Sequence, residues 1–292
     1  MVDEFPQIQI LYQDQDLAII NKPSGVVVNR AQSVKSQTIQ DWFAEFLAKA
    51  GQKAKVAKDE KVEKEDWQKM IPDDFQAQYG SAEEIWQQRQ GLVHRIDKET
   101  SGVLLLAKNP GSLVNLLAQF KKRLTHKKYW SLVHGQLQVD SAKVDAPISR
   151  SPTNRHQFRV EIEGRRAVTN YQVLKVFQGF NQDELTSVLG QKDAEQILEQ
   201  RDSYAQGFSL VECELITGRT HQIRVHMKHL GHPLVADSVY GGRRRARTDR
   251  LWCPRQFLYA RWLSFIHPRT GKRVQATAPL AKELRQAISL LQ

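Results

Sequence analysis

Leu92-Val93-His94-Arg95-Ile96-Asp97-Lys98-Glu99-Thr100-Ser101-Gly102 runs straight into the apolar stretch Val103 to Ala107. An unbroken apolar run of this length, entered from a polar segment, reads as a buried strand preceded by the loop that feeds it. A carboxylate in such a loop, here Asp97, can face a pocket while Thr100, Ser101 and backbone N–H groups brace the turn, which suits a nucleophile or a general base. The same residues also describe an Asx turn, in which Asp97 serves only its own loop.

Working outward, Ile8 to Tyr12 and Leu17 to Asn21 flank Asp14 to Asp16 and read as strand, turn, strand, closed by Pro23-Ser24-Gly25. Thr38 and Asp41 form a capping-box pattern, followed by Ile39, Trp42, Phe43, Phe46 and Leu47 at helical spacing until Gly51 ends the run. Residues 52–90 are lysine-rich, mixed in sign and without period, and are expected to be a solvated insertion. Ser112 is read as the cap of a helix presenting Leu113, Leu116, Leu117, Phe120 and Leu124, with Lys121, Lys122 and Arg123 in its last turn. Strands are expected at Lys127 to His134, Gln157 to Glu163, Ala167 to Phe177, Phe208 to Leu215, Phe257 to Phe265 and Arg273 to Ala278. The turn His267 to Gly271 joins the last two as a hairpin. The acidic stretch 178–206 is a second insertion, helical around Asp193 to Gln200, and a final helix carries Leu280, Leu284, Ile288 and Leu291. Many strands and few helices give an α+β class with a mixed, largely antiparallel sheet and flanking helices.

The chain has 292 residues, and Lys and Arg outnumber Asp and Glu by 43 to 32, a net charge of +11. Such an excess calls for a polyanion, with nucleic acid the first partner to consider. Two cysteines, Cys213 and Cys253, offer neither a disulfide framework nor a zinc cage. With no apolar leader in the first nine residues and no run long enough to span a bilayer, a cytoplasmic protein with no membrane partner is expected.

Two further segments carry chemistry. In Thr217 to Gly231, Thr220 as N-cap and Gly231 past the C-terminus bracket a helix with Ile223, Met227 and Leu230 as its apolar stripe. Arg219, on the turn entering that helix, can hold the Asp97 carboxylate charged within a shared pocket. His221 and Arg224 on the same segment are taken as substrate contacts. His226, His229 and His232 recur every three residues, but no metal site is expected, because Arg219, Arg224 and Lys228 in the same turns repel a dication. In Lys127-Lys128-Tyr129-Trp130 an aromatic stands beside cations, as stacking on a base and pairing with a phosphate require. Arg243, Arg244 and Arg245, after Gly241-Gly242, form a positive loop suited to a nucleic-acid backbone.

The order and wording of HRIDKETSG, KKYWSLVHG, APISR and TGRTHQIRVHMKHLGHPLVAD strongly resemble the RluA-type pseudouridine synthases, the RluD branch above all. The resemblance extends from Ile10 to the TAPL segment, with the two insertions as gaps, and implies one pseudouridine synthase catalytic domain over 1–292 without an N-terminal S4 domain. It implies that Asp97 is the catalytic aspartate, that Tyr129 stacks on the target uracil and accepts the C5 proton, and that Arg219 pairs with the aspartate. Arg95 matches an arginine associated with base flipping, and Ile223 would pack on the pocket floor. Ile96 and Asn29 depart from the family's usual Leu and His. The implied activity is isomerisation of uridine in structured RNA by a monomer without cofactors. Large-subunit ribosomal RNA is the expected target and transfer RNA the alternative. An inert RNA-binding protein would need no Asp97.

Overall fold

The computed structural model describes residues 5–56 and 66–292. In chain order the elements are β1 (Gln9–Gln13), β2 (Leu17–Lys22), α1 (Ile39–Val56), α2 (Ala82–Arg89), β3 (Ser101–Ala107), α3 (Pro110–Lys122), β4 (His126–His134), β5 (Ser141–Asp145), β6 (Ile148–Arg150) and β7 (Phe158–Val160). They continue as β8 (Val168–Phe177), α4 (Gln182–Leu189), α5 (Gln191–Leu198), α6 (Arg201–Tyr204), β9 (Phe208–Leu215), α7 (Gln222–His229), α8 (Arg243–Asp249), β10 (Leu258–Ile266), β11 (Arg273–Thr277) and α9 (Lys282–Ser289). Two compact units result, Met1–His126 with Trp262–Ala278, and Lys127–Arg261 with Pro279–Gln292.

In the first unit β1, β2 and β3 pair antiparallel, with β2 and β3 in register from Leu17↔Ala107 to Lys22↔Gly102. Leu17 to Ile20 and Leu104 to Ala107 have no exposure, which is why both strands read as continuous apolar runs rather than alternating ones. Trp262 to Ile266 and Arg273 to Thr277 form the expected hairpin, closed by His267 N–H to Lys272 O at 2.8 Å. The predicted box caps α1: the Thr38 N–H donates to Asp41 Oδ2 at 2.8 Å and the Asp41 N–H to Thr38 Oγ1 at 3.2 Å. The helix does not stop at Gly51 but runs to Val56. One interior glycine costs about 1 kcal/mol, too little to end a helix flanked by Ala48, Lys49, Gln52, Lys53 and Ala54.

Two further expectations change in this unit. The cap of α3 is Asn109, not Ser112: Asn109 Oδ1 accepts the Ser112 N–H at 2.8 Å, with Pro110 in the first turn, where its missing N–H costs nothing. The expected solvated insertion at 52–90 is in part folded, residues 57–65 lying outside the described residues. Short turns at Asp66–Met70 and Ala77–Tyr79 lead into α2, which carries a complete Ser81/Glu84 capping box. Met70 and Ala82 are buried, and Asn115 Nδ2 donates to Met70 O at 2.8 Å. The segment lies so close to α3 that a Cβ on Gly111 would run into the Trp67 carbonyl.

In the second unit β4, β9, β8 and β5 form an antiparallel sheet in that order, and β6 pairs with β7 as a separate ribbon. The strand read at Phe208 to Leu215 is β9 with the same bounds. The insertion at 178–206 is more helical than expected, forming α4, α5 and α6 with Asn181 capping α4. An aromatic cluster anchors it, in which Phe180 lies 5.1 Å from Trp252, 5.2 Å from Tyr204 and 5.5 Å from Phe208 between centroids. The arginines at 243–245 are not on a loop but open α8, whose buried face is Ala246 and Asp249.

Gly111→Ala tests the packing of the first insertion. It should lower stability by about 1–3 kcal/mol through forced displacement of the Trp67 backbone, and should expose 66–90 to limited proteolysis. Unchanged urea unfolding and an unchanged cleavage pattern would show that the segment is not held against α3.

Candidate active site

The loop bearing Asp97 is held from below by a lysine that sequence reasoning passed over. Lys22, at the end of β2, has no exposure, and its Nζ donates to Pro23 O and Val26 O at 2.8 Å each and to Lys98 O at 3.1 Å. The Gly25 N–H reaches Lys98 O at 2.9 Å and Ser24 Oγ reaches Glu99 O at 2.7 Å. Gly25 has φ +85°, the left-handed conformation that lets the turn double back under the loop. On the loop's own side the Thr100 N–H donates to Asp97 O at 3.2 Å. Asp97 is half-buried, Ile96 buried and Arg95 exposed. His94 Nε2 accepts the Leu105 N–H at 3.0 Å, so its ring carries its proton on Nδ1, and it stacks on Phe120 at 4.8 Å. Arg95 lines a cleft of about 410 Å³ together with Asn29, Gln40 and His94.

In the second unit, Lys127 and Tyr129 share one face of β4. Tyr129 is 7 % exposed and opposite Cys213 in register, and burial pushes the Lys127 ammonium below its ordinary value. Lys128, grouped with them from sequence, lies on the other face. Its ammonium pairs with Glu212 at 2.6 Å, the same carboxylate that accepts Trp130 Nε1 at 3.3 Å, while Arg261 lies 5.1 Å from the Trp130 ring centroid.

The turn carrying Arg219 is organised by Gln222, a second residue that sequence reasoning missed. Gln222 is buried; its Oε1 accepts the Arg219 N–H at 3.0 Å and Thr217 Oγ1 at 2.7 Å. Its Nε2 donates to Val168 O at 2.9 Å and Thr169 Oγ1 at 3.0 Å. The first residue of α7 thus reaches back to fix the turn ahead of the helix, and the N-cap expected at Thr220 lies one residue later. The N-cap itself is His221, at φ +57° and without a side-chain cap bond. Gly231 ends the helix as expected, at φ +88°. Arg219 is exposed, with Nε donating to Arg166 O at 3.1 Å. His221 Nδ1 is hydrogen-bonded to the Tyr240 hydroxyl at 2.8 Å, which also accepts the Phe158 N–H at 3.0 Å.

Arg224 corrects an expectation. It is 5 % exposed and grips Asp237 with both arms of its fork, Nε to Oδ2 at 2.7 Å and Nη2 to Oδ1 at 2.9 Å, while lying over the Tyr240 ring. A planar fork on a buried carboxylate is a structural pair, not a surface contact for substrate. Ile223 is buried as expected. His226 is fully buried with both ring nitrogens engaged, Nδ1 with Thr169 Oγ1 and Nε2 with Ala146 O at 2.9 Å each, and burial keeps its pKa low.

The profile of a family described as RNA pseudouridylate synthase matches residues 16–229. The chain belongs to that family. The synthase is 34% identical over 97% of its length to an uncharacterized RNA pseudouridine synthase, YlyB, of Bacillus subtilis, of which 73% is covered. It is 32% identical to the ribosomal large subunit pseudouridine synthase D of Zymomonas mobilis, with coverage of 97% of this chain and 73% of that one. The fold is shared with human RNA pseudouridylate synthase domain containing 4, at a TM-score of 0.61 and 20% identity, over 97% of this chain and 94% of that one. The synthase is an isomerase, and no helix among its described residues is long and apolar enough to cross a membrane.

Gln222→Ala removes one acceptor oxygen and one donor nitrogen, four hydrogen bonds in all, from a buried site and should cost roughly 1–3 kcal/mol, read by urea unfolding. Gln222→Glu keeps the acceptors but sets a carboxylate against Val168 O, and should cost more. Equal stability of all three proteins would mean that the Arg219 turn is held by something else.

Proposed function

We propose that this synthase isomerises a uridine of large-subunit ribosomal RNA, with Asp97 as the catalytic carboxylate. The observation that carries the target is the agreement of relatives. Three proteins named ribosomal large subunit pseudouridine synthase D, from Zymomonas, Xanthomonas and Pseudomonas, align with 97%, 97% and 98% of the chain.

The reaction breaks the bond from C1′ to N1, turns the uracil and rejoins it through C5, whose proton moves to N1 or to solvent. Atoms and electrons balance without water or an oxidant. The Asp97 carboxylate assists by attacking C6, by attacking C1′ or by promoting a glycal, and Tyr129 stacks on the uracil and takes the C5 proton. Arg219 is the cation assigned to the charge on Asp97. A target inside structured RNA has to leave its stack, and Tyr129 and Ile223 supply apolar surface in exchange while Arg95 and Lys127 meet neighbouring groups. Each unit supports its own part of the reading: in the first, Asp97 stands half-buried on a loop clamped by Lys22, and in the second, Arg219 stands exposed on a turn clamped by Gln222.

Single-turnover conversion of uridine in a large-subunit ribosomal RNA transcript, with transfer RNA transcripts in parallel, tests this reading. Asp97→Asn keeps the shape and loses the charge, so turnover should vanish while RNA affinity stays within about threefold; residual rates within about tenfold of wild type, roughly 1.4 kcal/mol of barrier, would remove Asp97 from the chemistry. Tyr129→Phe retains the ring and loses the hydroxyl, so a bound complex should accumulate without product. Normal turnover by that variant would mean that the hydroxyl takes no proton, and conversion confined to transfer RNA would overturn the target.

A further inference from the structure

A groove of about 780 Å³ in the second unit lies between the helical insertion and α8. One wall is cationic, formed by Arg243, Arg244 and Arg245 with Lys228. Among the described residues none of these four is ion-paired to a carboxylate. Arg224, Arg255 and Arg269, by contrast, are each paired to an acid. Four uncompensated cations on one concave wall repel one another, and a row of phosphates relieves that repulsion.

The rest of the lining has different chemistry. It presents Glu199, Gln200 and Ser203, from the end of α5 and from α6. A free polyanion fits poorly there, because Glu199 would repel it. A single RNA strand fits both walls: its phosphates lie along one edge, and its bases carry hydrogen-bond donors along the other. Carboxylate, amide and hydroxyl are the groups that accept from the amino nitrogens of cytosine and adenine. The walls are also held at a fixed spacing. Asp249 of α8, buried, accepts the Tyr204 hydroxyl of α6 at 2.9 Å and the Ala236 N–H at 2.8 Å, and pairs with His134 Nε2 at 2.9 Å.

We propose that this groove is a second RNA site, in which α8 and Lys228 grip the backbone of a strand flanking the target and the 178–206 insertion reads its base edges. The inference rests on the RNA-modifying function above and gives that insertion a task in substrate choice.

The test measures affinity of the full chain for a large-subunit ribosomal RNA transcript against salt, with poly(C), poly(A), poly(U) and polyglutamate as competitors. Arg243→Ala with Arg244→Ala should weaken binding by about tenfold or more and lower the slope of log affinity against log salt by about 2, while the corresponding double Lys variant keeps the slope. Glu199→Gln with Gln200→Ala should leave the slope unchanged and abolish a preference for poly(C) and poly(A) over poly(U) shown by wild type. An unchanged slope in the Ala variant, a wild type that does not discriminate among the polymers, or polyglutamate competing as well as RNA would each overturn the proposal. Isomerisation at saturating RNA, read on the same samples, separates the two claims. A wild type that makes pseudouridine while the groove variants bind normally sinks only the groove; a wild type that makes none while the variants shift binding sinks only the reaction.

Discussion

The ammonium of Lys22 is the constraint on which the Asp97 loop depends. A charge with no exposure has to place its protons on acceptors, since each unmade bond in a low-dielectric interior costs the desolvation of a charged group. Pro23 and Val26 supply two of those acceptors from the lysine's own turn, and Lys98 supplies a third from the loop that follows Asp97. One side chain therefore ties two stretches 76 residues apart in sequence. The tie is charge-assisted, and Lys98 remains exposed one position from Asp97. Apolar packing alone could fix β3 but not a segment that has to keep a carboxylate at the surface.

The second unit meets the same requirement with a neutral group. Gln222 uses both ends of one amide to join Thr217, the Arg219 backbone, Val168 and Thr169. Arg219 is left exposed on a rigid turn, and its freedom is limited further by the Arg166 carbonyl. Asp97 and Arg219 are thus presented by loops, and each loop is set by a buried polar side chain at the end of a regular element. That arrangement combines positional precision with access for a large substrate.

Legibility in the sequence followed the kind of force involved. The α+β class, β9, the hairpin of β10 and β11 and the Thr38/Asp41 cap were readable because periodicity and capping act within a few residues. The family was readable because its motifs are contiguous words. Partners distant in sequence were not: whether Arg224 faces RNA or Asp237 turns on a carboxylate thirteen residues away, and nothing local decides it. Lys128, grouped with Tyr129 as a substrate contact, lies on the other face, as strand alternation alone places it. Lys22 did leave a signal, since it falls on the same face of β2 as Ala18 and Ile20, where a lysine is out of place unless it is buried for a purpose. The first insertion looked solvated because its few anchors, Met70 and Ala82 among them, follow no period.

Mapping pseudouridines across the ribosomal and transfer RNAs of cells lacking this protein tests the assignment of reaction and target together. Loss of a pseudouridine from large-subunit ribosomal RNA is expected, restored by the wild-type chain and not by a chain altered at Asp97. An unchanged ribosomal RNA map, or restoration by the altered chain, would contradict it.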